Sequence, residues 1–71
     1  MSLEASVVVP FRDEEANVAP LAQRLLSVLD LLPAGSEVVL VDDDSSDGTW
    51  RRILAVWEAD ARVRAFRHAR A

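Results

Sequence analysis

Carboxylates are concentrated in two short stretches, Asp13-Glu14-Glu15 and Asp42-Asp43-Asp44, with Asp47 close behind the second. Side chains of this type can accept hydrogen bonds from ribose hydroxyls or a base N–H. They can also hold a divalent cation that binds phosphate in turn, or cap turns and helices. Direct phosphate binding by side chains is disfavoured in loops this acidic, and neither loop contains a glycine-rich phosphate cradle. Asp42 and Asp43 sit at the end of an apolar run, where successive side chains of a strand point to opposite sides. At most one of them faces a cleft squarely, and ligand contact and turn capping both stay open for the pair. Asp44 reads as a turn residue accepting amides from Ser46 or Asp47, ahead of a metal pair with Asp42. Ser45 and Ser46 have no histidine or lysine nearby in sequence to activate them, so a serine nucleophile has little support. Neither a catalytic residue nor a metal ligand is assigned.

Among the remaining polar residues, Glu14 reads as a ligand contact and Glu15 as a surface carboxylate, or both are accounted for, slightly ahead, by favourable charge near the start of a helix. Arg12 stands beside Asp13 in the first acidic loop, where it could pair with a carboxylate or reach a diphosphate. Trp50 and Trp57 read as core residues. His68, a lone histidine in an arginine-rich tail, reads as exposed.

The elements that must position these groups follow from periodicity. Val7, Val8 and Val9 form a β-branched run that Pro10 is expected to stop, since proline has no amide to donate. Its lack of polar alternation predicts a strand covered on both faces, as in parallel sheets under crossover helices. Val18, Leu21, Leu25, Val28, Leu29 and Leu32 recur at helical spacing. Asp13 is the expected cap of this helix, although Pro20 suggests a regular start nearer Asn17 or Val18. Pro33, Ala34 and Gly35 end it near Leu32. Val38 to Val41 is the second strand, and Asp42 to Gly48 an acidic, serine-rich turn. Asp47 is the expected cap of a second helix carrying Trp50, Ile53, Leu54, Trp57 and Ala61. Val63, Ala65 and Phe66, interleaved with Arg62, Arg64, Arg67 and Arg70, make an edge strand on which positive charge discourages edge-to-edge pairing.

Strand, helix, strand, helix, strand at these lengths predicts consecutive right-handed crossovers: an α/β fold, the opening βαβαβ portion of a doubly wound, Rossmann-like domain. If the strands step in one direction, both helices lie on one face and the valine runs leave the other apolar. Residues beyond Ala71 or a second copy of the chain would then cover it. Ligands of such sheets gather beyond the C-terminal strand ends, where both acidic loops fall.

At 71 residues the chain is at most one small domain, and such domains remove only roughly 60% of their unfolded surface from water. A hydrophobic fraction of 51% nevertheless argues for a folded chain rather than a disordered tail. A formal charge of −4 offers no footprint for a nucleic-acid backbone, so nucleic acid is not an expected partner. The absence of cysteine removes disulfides and zinc-thiolate sites and fits a reducing compartment. No apolar run approaches a membrane span, and Glu4 stands where a signal peptide would carry basic residues.

The stretch from Val7 to Val18, with Pro10-Phe11-Arg12-Asp13-Glu14-Glu15 at its centre, and the stretch from Val39 to Thr49 together resemble the start of the inverting glycosyltransferases of family 2, with the GT-A fold. The nearest likeness is to the polyprenyl-phosphate (dolichol-phosphate-like) sugar transferases. The family pattern is V-P-x-Y-N-E-E followed by V-D-D-G-S-x-D-x-T, both lining a nucleotide pocket. Arg12 stands at the family's usual Tyr, Asp13 at its Asn and Asp44 at its Gly, where glycine permits a left-handed turn.

The resemblance implies that residues 1–71 are a partial nucleotide-sugar-binding domain. Pro10, Phe11 and Glu14 would border base and ribose, Asp42 would contact the base, and Asp43 would lie near the ribose. It implies a UDP-, GDP- or similar sugar donor and a possible polyprenyl-phosphate acceptor. The setting would be cytoplasmic, at the cytoplasmic face of a membrane in the parent protein. It also implies Mg²⁺ or Mn²⁺ for the parent enzyme, held by a later D-x-D motif that this segment lacks, with the catalytic base later still. Asp42-Asp43-Asp44 matches the earlier nucleotide element instead. The segment alone is expected to have little or no transfer activity. The rival expectation is a non-catalytic nucleotide-binding or structural α/β module, possibly dimeric.

Overall fold

A computed structural model describes residues 4–69. The element order is β1 (Ser6–Phe11), α1 (Glu15–Leu29), β2 (Glu37–Asp43), α2 (Thr49–Ala59) and β3 (Val63–His68). The sheet order is β1-β2-β3, with both pairs parallel. Both helices pack on one face of the sheet and against each other. This is the βαβαβ portion of a Rossmann-like GT-A fold anticipated from the sequence. Met1, Ser2, Leu3 and Arg70 lie outside the described residues.

The core is the layer between sheet and helices. Val38 and Leu40 of the central strand, Phe11 of β1 and Val63 of β3 meet Val18, Ala22 and Leu29 of α1 and Ile53 of α2. The helical stripes differ in detail from the expected ones. Val28 and Trp57 face outward, each about half exposed. Ala22 takes a core position on α1, and Val56 packs against the core from α2. Of the two tryptophans of α2, Trp50 packs against the core.

The opposite sheet face has no helix over it among the described residues. Val8 is 61% exposed and Phe66 50% exposed. Valine continuity in β1 and β2 therefore corresponds to one packed face and one open one. The open face turns polar toward the N-terminal strand ends, where Ser6 Oγ donates to Glu37 at 2.7 Å and Arg64 pairs with the same carboxylate at 3.7 Å.

Element boundaries shift for local reasons. β1 continues through Pro10 to Phe11, which is permissible because β1 is an edge strand. β2 extends through Asp42 and Asp43, and β3 through His68. α1 begins at Glu15, before the expected Asn17, and contains Pro20; its regular part stops at Leu29. The amides of Leu31 and Leu32 then bond back three residues, to Val28 and Leu29, in tighter turns. Gly35 follows at a φ of +96°, open to glycine and costly for any other residue.

At this N-terminal end of the sheet, Arg62 joins Asp30 at 2.8 Å and Asp60 at 3.0 Å, tying the end of α1 to the start of β3. Hydrogen bonds from Arg62 hold the Asp60 carboxyl below the usual carboxylate range.

Leu40 is fully buried on the central strand. Leu40→Ala is expected to cost about 2–5 kcal/mol, a large share of the roughly 5–15 kcal/mol typical of a domain. Urea unfolding followed by circular dichroism measures the loss.

Candidate functional site

The two acidic loops lie at the C-terminal ends of β1 and β2 and are tied directly to each other. The amide of Asp13 donates to Ser45 Oγ at 2.9 Å, and the amide of Glu14 donates to Thr49 Oγ1 at 3.0 Å. In the other direction, the amide of Ser46 donates to Asp13 Oδ1 at 2.7 Å, supported by its hydroxyl at 3.2 Å. Ser45 and Thr49 are buried, so the two bonds they accept are partly shielded from water, whereas the Asp13–Ser46 bonds are exposed.

This arrangement corrects the expected helix caps. Asp13 does not cap α1; it adopts a left-handed φ of +50° and binds the second loop. The cap position belongs to Glu14, whose side chain makes no capping bond. The early amides are instead satisfied from across the cleft, by Thr49 at Glu14 and by Asp47 Oδ2 at Glu15, 3.4 Å away. This external support lets the helix start five residues ahead of Pro20, despite the amide that proline lacks. For α2 the cap position is Gly48, one residue later than expected. Asp47 still serves the helix start, because its Oδ1 accepts the Thr49 amide at 2.9 Å and the Thr49 hydroxyl as well. That hydroxyl bond, ahead of weaker backbone bonds, holds the Asp47 carboxyl below its ordinary range.

Asp44 has a φ of +56°, the left-handed turn implied at that position. The carboxylate that closes the turn belongs to Asp42, however, whose Oδ1 accepts the Ser45 amide at 3.1 Å. Asp44 therefore bends the chain without the expected bonds to Ser46 or Asp47.

Asp42 and Asp43 part company at the sheet. Asp42 lies on the helix side, 0% exposed, in register with Phe11 and Arg67. Arg67 Nε approaches Asp42 Oδ2 to 3.3 Å. The approach is close enough for an ion pair but off line for a hydrogen bond, and Oδ2 has no hydrogen-bond partner. The same guanidinium lies 5.9 Å from the centroid of the Trp50 ring. Asp43 lies on the open side, in register with His68, whose Nδ1 stands 3.3 Å from Asp43 Oδ1. The two aspartates cannot jointly chelate one ion from opposite faces of a sheet, and no group of three or more potential metal ligands occurs among the described residues. The acidic run does not fit a metal centre.

Of the other residues anticipated here, Pro10 and Glu14 are exposed. Phe11 is a core residue, with its side chain packed between sheet and helices. Arg12 is exposed with no partner among the described residues. Three surface grooves lie between α1 and α2, at the start of β2 and β3, and beside Glu14, Asn17 and Pro20; none of these three includes Asp42 or Asp43. In the sequence, Arg67, the partner of Asp42, reads only as a positive residue of the edge strand, and His68, the partner of Asp43, only as an exposed histidine in an arginine-rich tail. The signal for them was register: Arg67 lies four residues beyond Val63, as Asp42 lies four beyond Val38, and those strand residues pair.

The chain matches the family described as glycosyl transferase family 2 over residues 6–71. It belongs to that family. Among curated relatives, an uncharacterized glycosyltransferase of Synechocystis is 33% identical over 64 residues, covering 90% of this chain and 20% of that protein. The dodecaprenyl-phosphate galacturonate synthase of Rhizobium johnstonii is 46% identical over 48 residues, covering 68% of this chain and 14% of that protein. The dolichol-phosphate mannosyltransferase of Saccharomyces cerevisiae is 35% identical over 65 residues, covering 90% and 24%. The chain thus spans about a quarter or less of the length of these relatives. No solved structure matches it.

Within this family 2 chain the loop interlock is open to test at Thr49. Thr49→Val keeps the volume and removes the acceptor of the Glu14 amide, at an expected cost of about 1–3 kcal/mol near neutral pH. The Asp47 carboxyl is depressed in the folded state, so its contribution is complete above the ordinary aspartate range and is lost as the pH falls through the lower, folded value. The stability gap between wild type and Thr49→Val should therefore narrow in strong acid, as read from denaturant unfolding across a pH series.

Proposed function

We propose that this chain is the nucleotide-recognition portion of an inverting glycosyltransferase. The protein that carries it would move a sugar from a UDP-, GDP- or similar donor to an acceptor, with polyprenyl phosphate as the acceptor class. The observation that carries the reading is Asp42 itself. In a family 2 chain, at the C-terminal edge of the central strand, it keeps one buried carboxylate oxygen without a hydrogen-bond donor. A base N–H meets that need. Asp43, on the open side of the same strand end, is assigned to the ribose. Pro10 and Glu14 border the nucleoside from the first loop, and Phe11 contributes by supporting the strand end from the core.

Inversion requires a base or an already anionic acceptor, together with compensation of the leaving diphosphate charge, which Mg²⁺ or Mn²⁺ would supply when bound. Neither the base nor a set of ligands for the ion is recognisable among the described residues. Their work is to bind and orient the donor's nucleoside, and transfer by the 71 residues alone is expected to be weak or absent. The polyprenyl-phosphate class is supported by the names of relatives that act with dodecaprenyl phosphate and dolichol phosphate. That class would place the reaction at the cytoplasmic face of a membrane. No helix of the described residues is long and apolar enough to cross one.

A second reading, a non-catalytic dimeric α/β module, draws on the open sheet face with Val8 and Phe66 exposed. The two readings separate on titration with UDP and GDP and on solution mass. Under the glycosyltransferase reading, Asp42→Ala weakens nucleotide binding by about tenfold or more, the size of a lost charged hydrogen bond, whereas Asp44→Gly changes it by less than about twofold. Equal losses would sink the assignment of Asp42. A stable dimer that ignores both nucleotides would favour the structural module.

A further inference from the structure

We propose that the free edge of β3 is a docking strand for an extended acidic segment of a partner protein, which adds to the sheet antiparallel to β3. This role does not depend on nucleotide binding, because it uses the edge of β3 turned away from β2.

β2 pairs with one side of β3, and no strand lies on the other side among the described residues. The Val38 amide donates to the Arg62 carbonyl at 3.0 Å. Backbone groups alternate in direction along a strand, so Arg62, Arg64 and Phe66 direct theirs at β2, while Ala65 and Arg67 turn theirs outward. An edge of this kind is a template for another strand unless something blocks it. The other outer strand, β1, is blocked in part by Pro10, which has no amide to donate. β3 contains no proline. What guards it is charge. Residues 62–68 include Arg62, Arg64, Arg67 and His68 and no carboxylate, in a chain of formal charge −4. A second copy of β3 would bring a matching row of guanidiniums to the same edge, so pairing of like with like is disfavoured. The same charges favour an acidic strand.

The guanidiniums are not equally available. Arg62 is held by Asp30 at 2.8 Å and Asp60 at 3.0 Å. The Arg64 side chain is 61% exposed, and its one ion-pair partner among the described residues is Glu37 at 3.7 Å. The Arg67 side chain is 49% exposed and stands off line beside Asp42. Alternation along the strand puts Arg64 on the open face with Phe66, and Arg67 on the helix face with Val63. Each face also offers an aromatic. Phe66 is half exposed on the open face, and the equally exposed Trp57 lines a groove with Val63 and Arg64 at the start of the strand. A strand laid antiparallel on this edge meets Arg67, Phe66, Ala65, Arg64 and Val63 in turn, from its own N-terminus to its C-terminus. The complement is acidic, apolar, small, acidic, apolar, with the last side chain between Val63 and Trp57. Main-chain bonds to Ala65 and Arg67 supply attachment, and the alternating side chains supply selection.

The test is an NMR titration of the ¹⁵N-labelled chain with the end-blocked peptide Thr-Glu-Val-Thr-Glu-Leu-Thr. Two controls accompany it: Thr-Glu-Glu-Thr-Val-Leu-Thr, whose adjacent glutamates cannot stand opposite Arg64 and Arg67 together in any register, and a copy of the first peptide with lysine for glutamate. The first peptide is expected to bind at least about fivefold tighter than the rearranged one and at least about tenfold tighter than the lysine one. In hydrogen exchange, the outward amides of Ala65 and Arg67 gain protection on binding, while those of Arg64 and Phe66, already directed at β2, change little. Arg64→Glu is expected to weaken binding by about fivefold or more, and Arg24→Glu, the same charge change on α1, to leave it within about twofold. Trp57→Ala, at another exposed position, serves in place of Arg64→Glu if that variant does not fold, with an expected loss of about threefold or more. If the peptide does not bind, or binds without protecting Ala65 and Arg67, β3 is not a docking strand. If the rearranged peptide binds as tightly, or a folded Arg64→Glu chain binds undiminished, the acidic partner is wrong. A dimer of the chain alone that protects the same two amides would also overturn it, in favour of a second copy.

Discussion

The hydrogen bonding between the two acidic loops is the constraint on which the rest of this end of the molecule depends. The start of α1 has no capping side chain of its own and carries a proline in its second turn, so alone it would begin poorly. Ser45, Thr49 and Asp47 reach it from the other loop and occupy its early amides. Asp13 returns the contact to Ser46. Each partner lies more than thirty residues away in sequence, so neither loop holds its shape without β1 and β2 already side by side. The strand ends that carry Asp42 and Asp43 are positioned by the same bonds.

The aspartates differ because the pleat separates them. On the helix side, Asp42 is buried among core residues, and its charge is met by a backbone amide and an imperfectly aligned arginine. On the open side, Asp43 meets an imidazole and partly contacts solvent. Two neighbouring residues of the same type thus live in different dielectric surroundings.

The fold was legible because valine runs, helical stripes and breakers occur in an order that admits few topologies, and the order alone placed both acidic loops at one end of a parallel sheet. The match to the family pattern singled out Asp42 above Asp44, and the left-handed turn at Asp44 followed from the glycine it replaces. The helix caps were misread because local rules look for acceptors within a few residues, whereas the acceptors of α1 come from the β2–α2 loop. Trp57 and Val28 were misread because helical spacing cannot say how wide the packed stripe is when only two helices share a small sheet. Arg67 required the register of β3 against β2, which no single segment encodes.

That register has an uncommon origin. Val38, Val39, Leu40 and Val41 are so alike that sliding β2 by one residue would cost little in apolar burial, although it would exchange every side chain between the faces. What distinguishes the correct pairing is polar and sits at the strand ends: Ser36 Oγ accepting the Ala5 amide, Ser6 meeting Glu37, and Asp42 meeting Ser45 and Arg67. The Asp42 carboxylate is therefore one of the groups that distinguish the native register. A chain that paired one step out of place would carry Asp43 under the helices and Asp42 on the open face, and no backbone turn would be waiting for either.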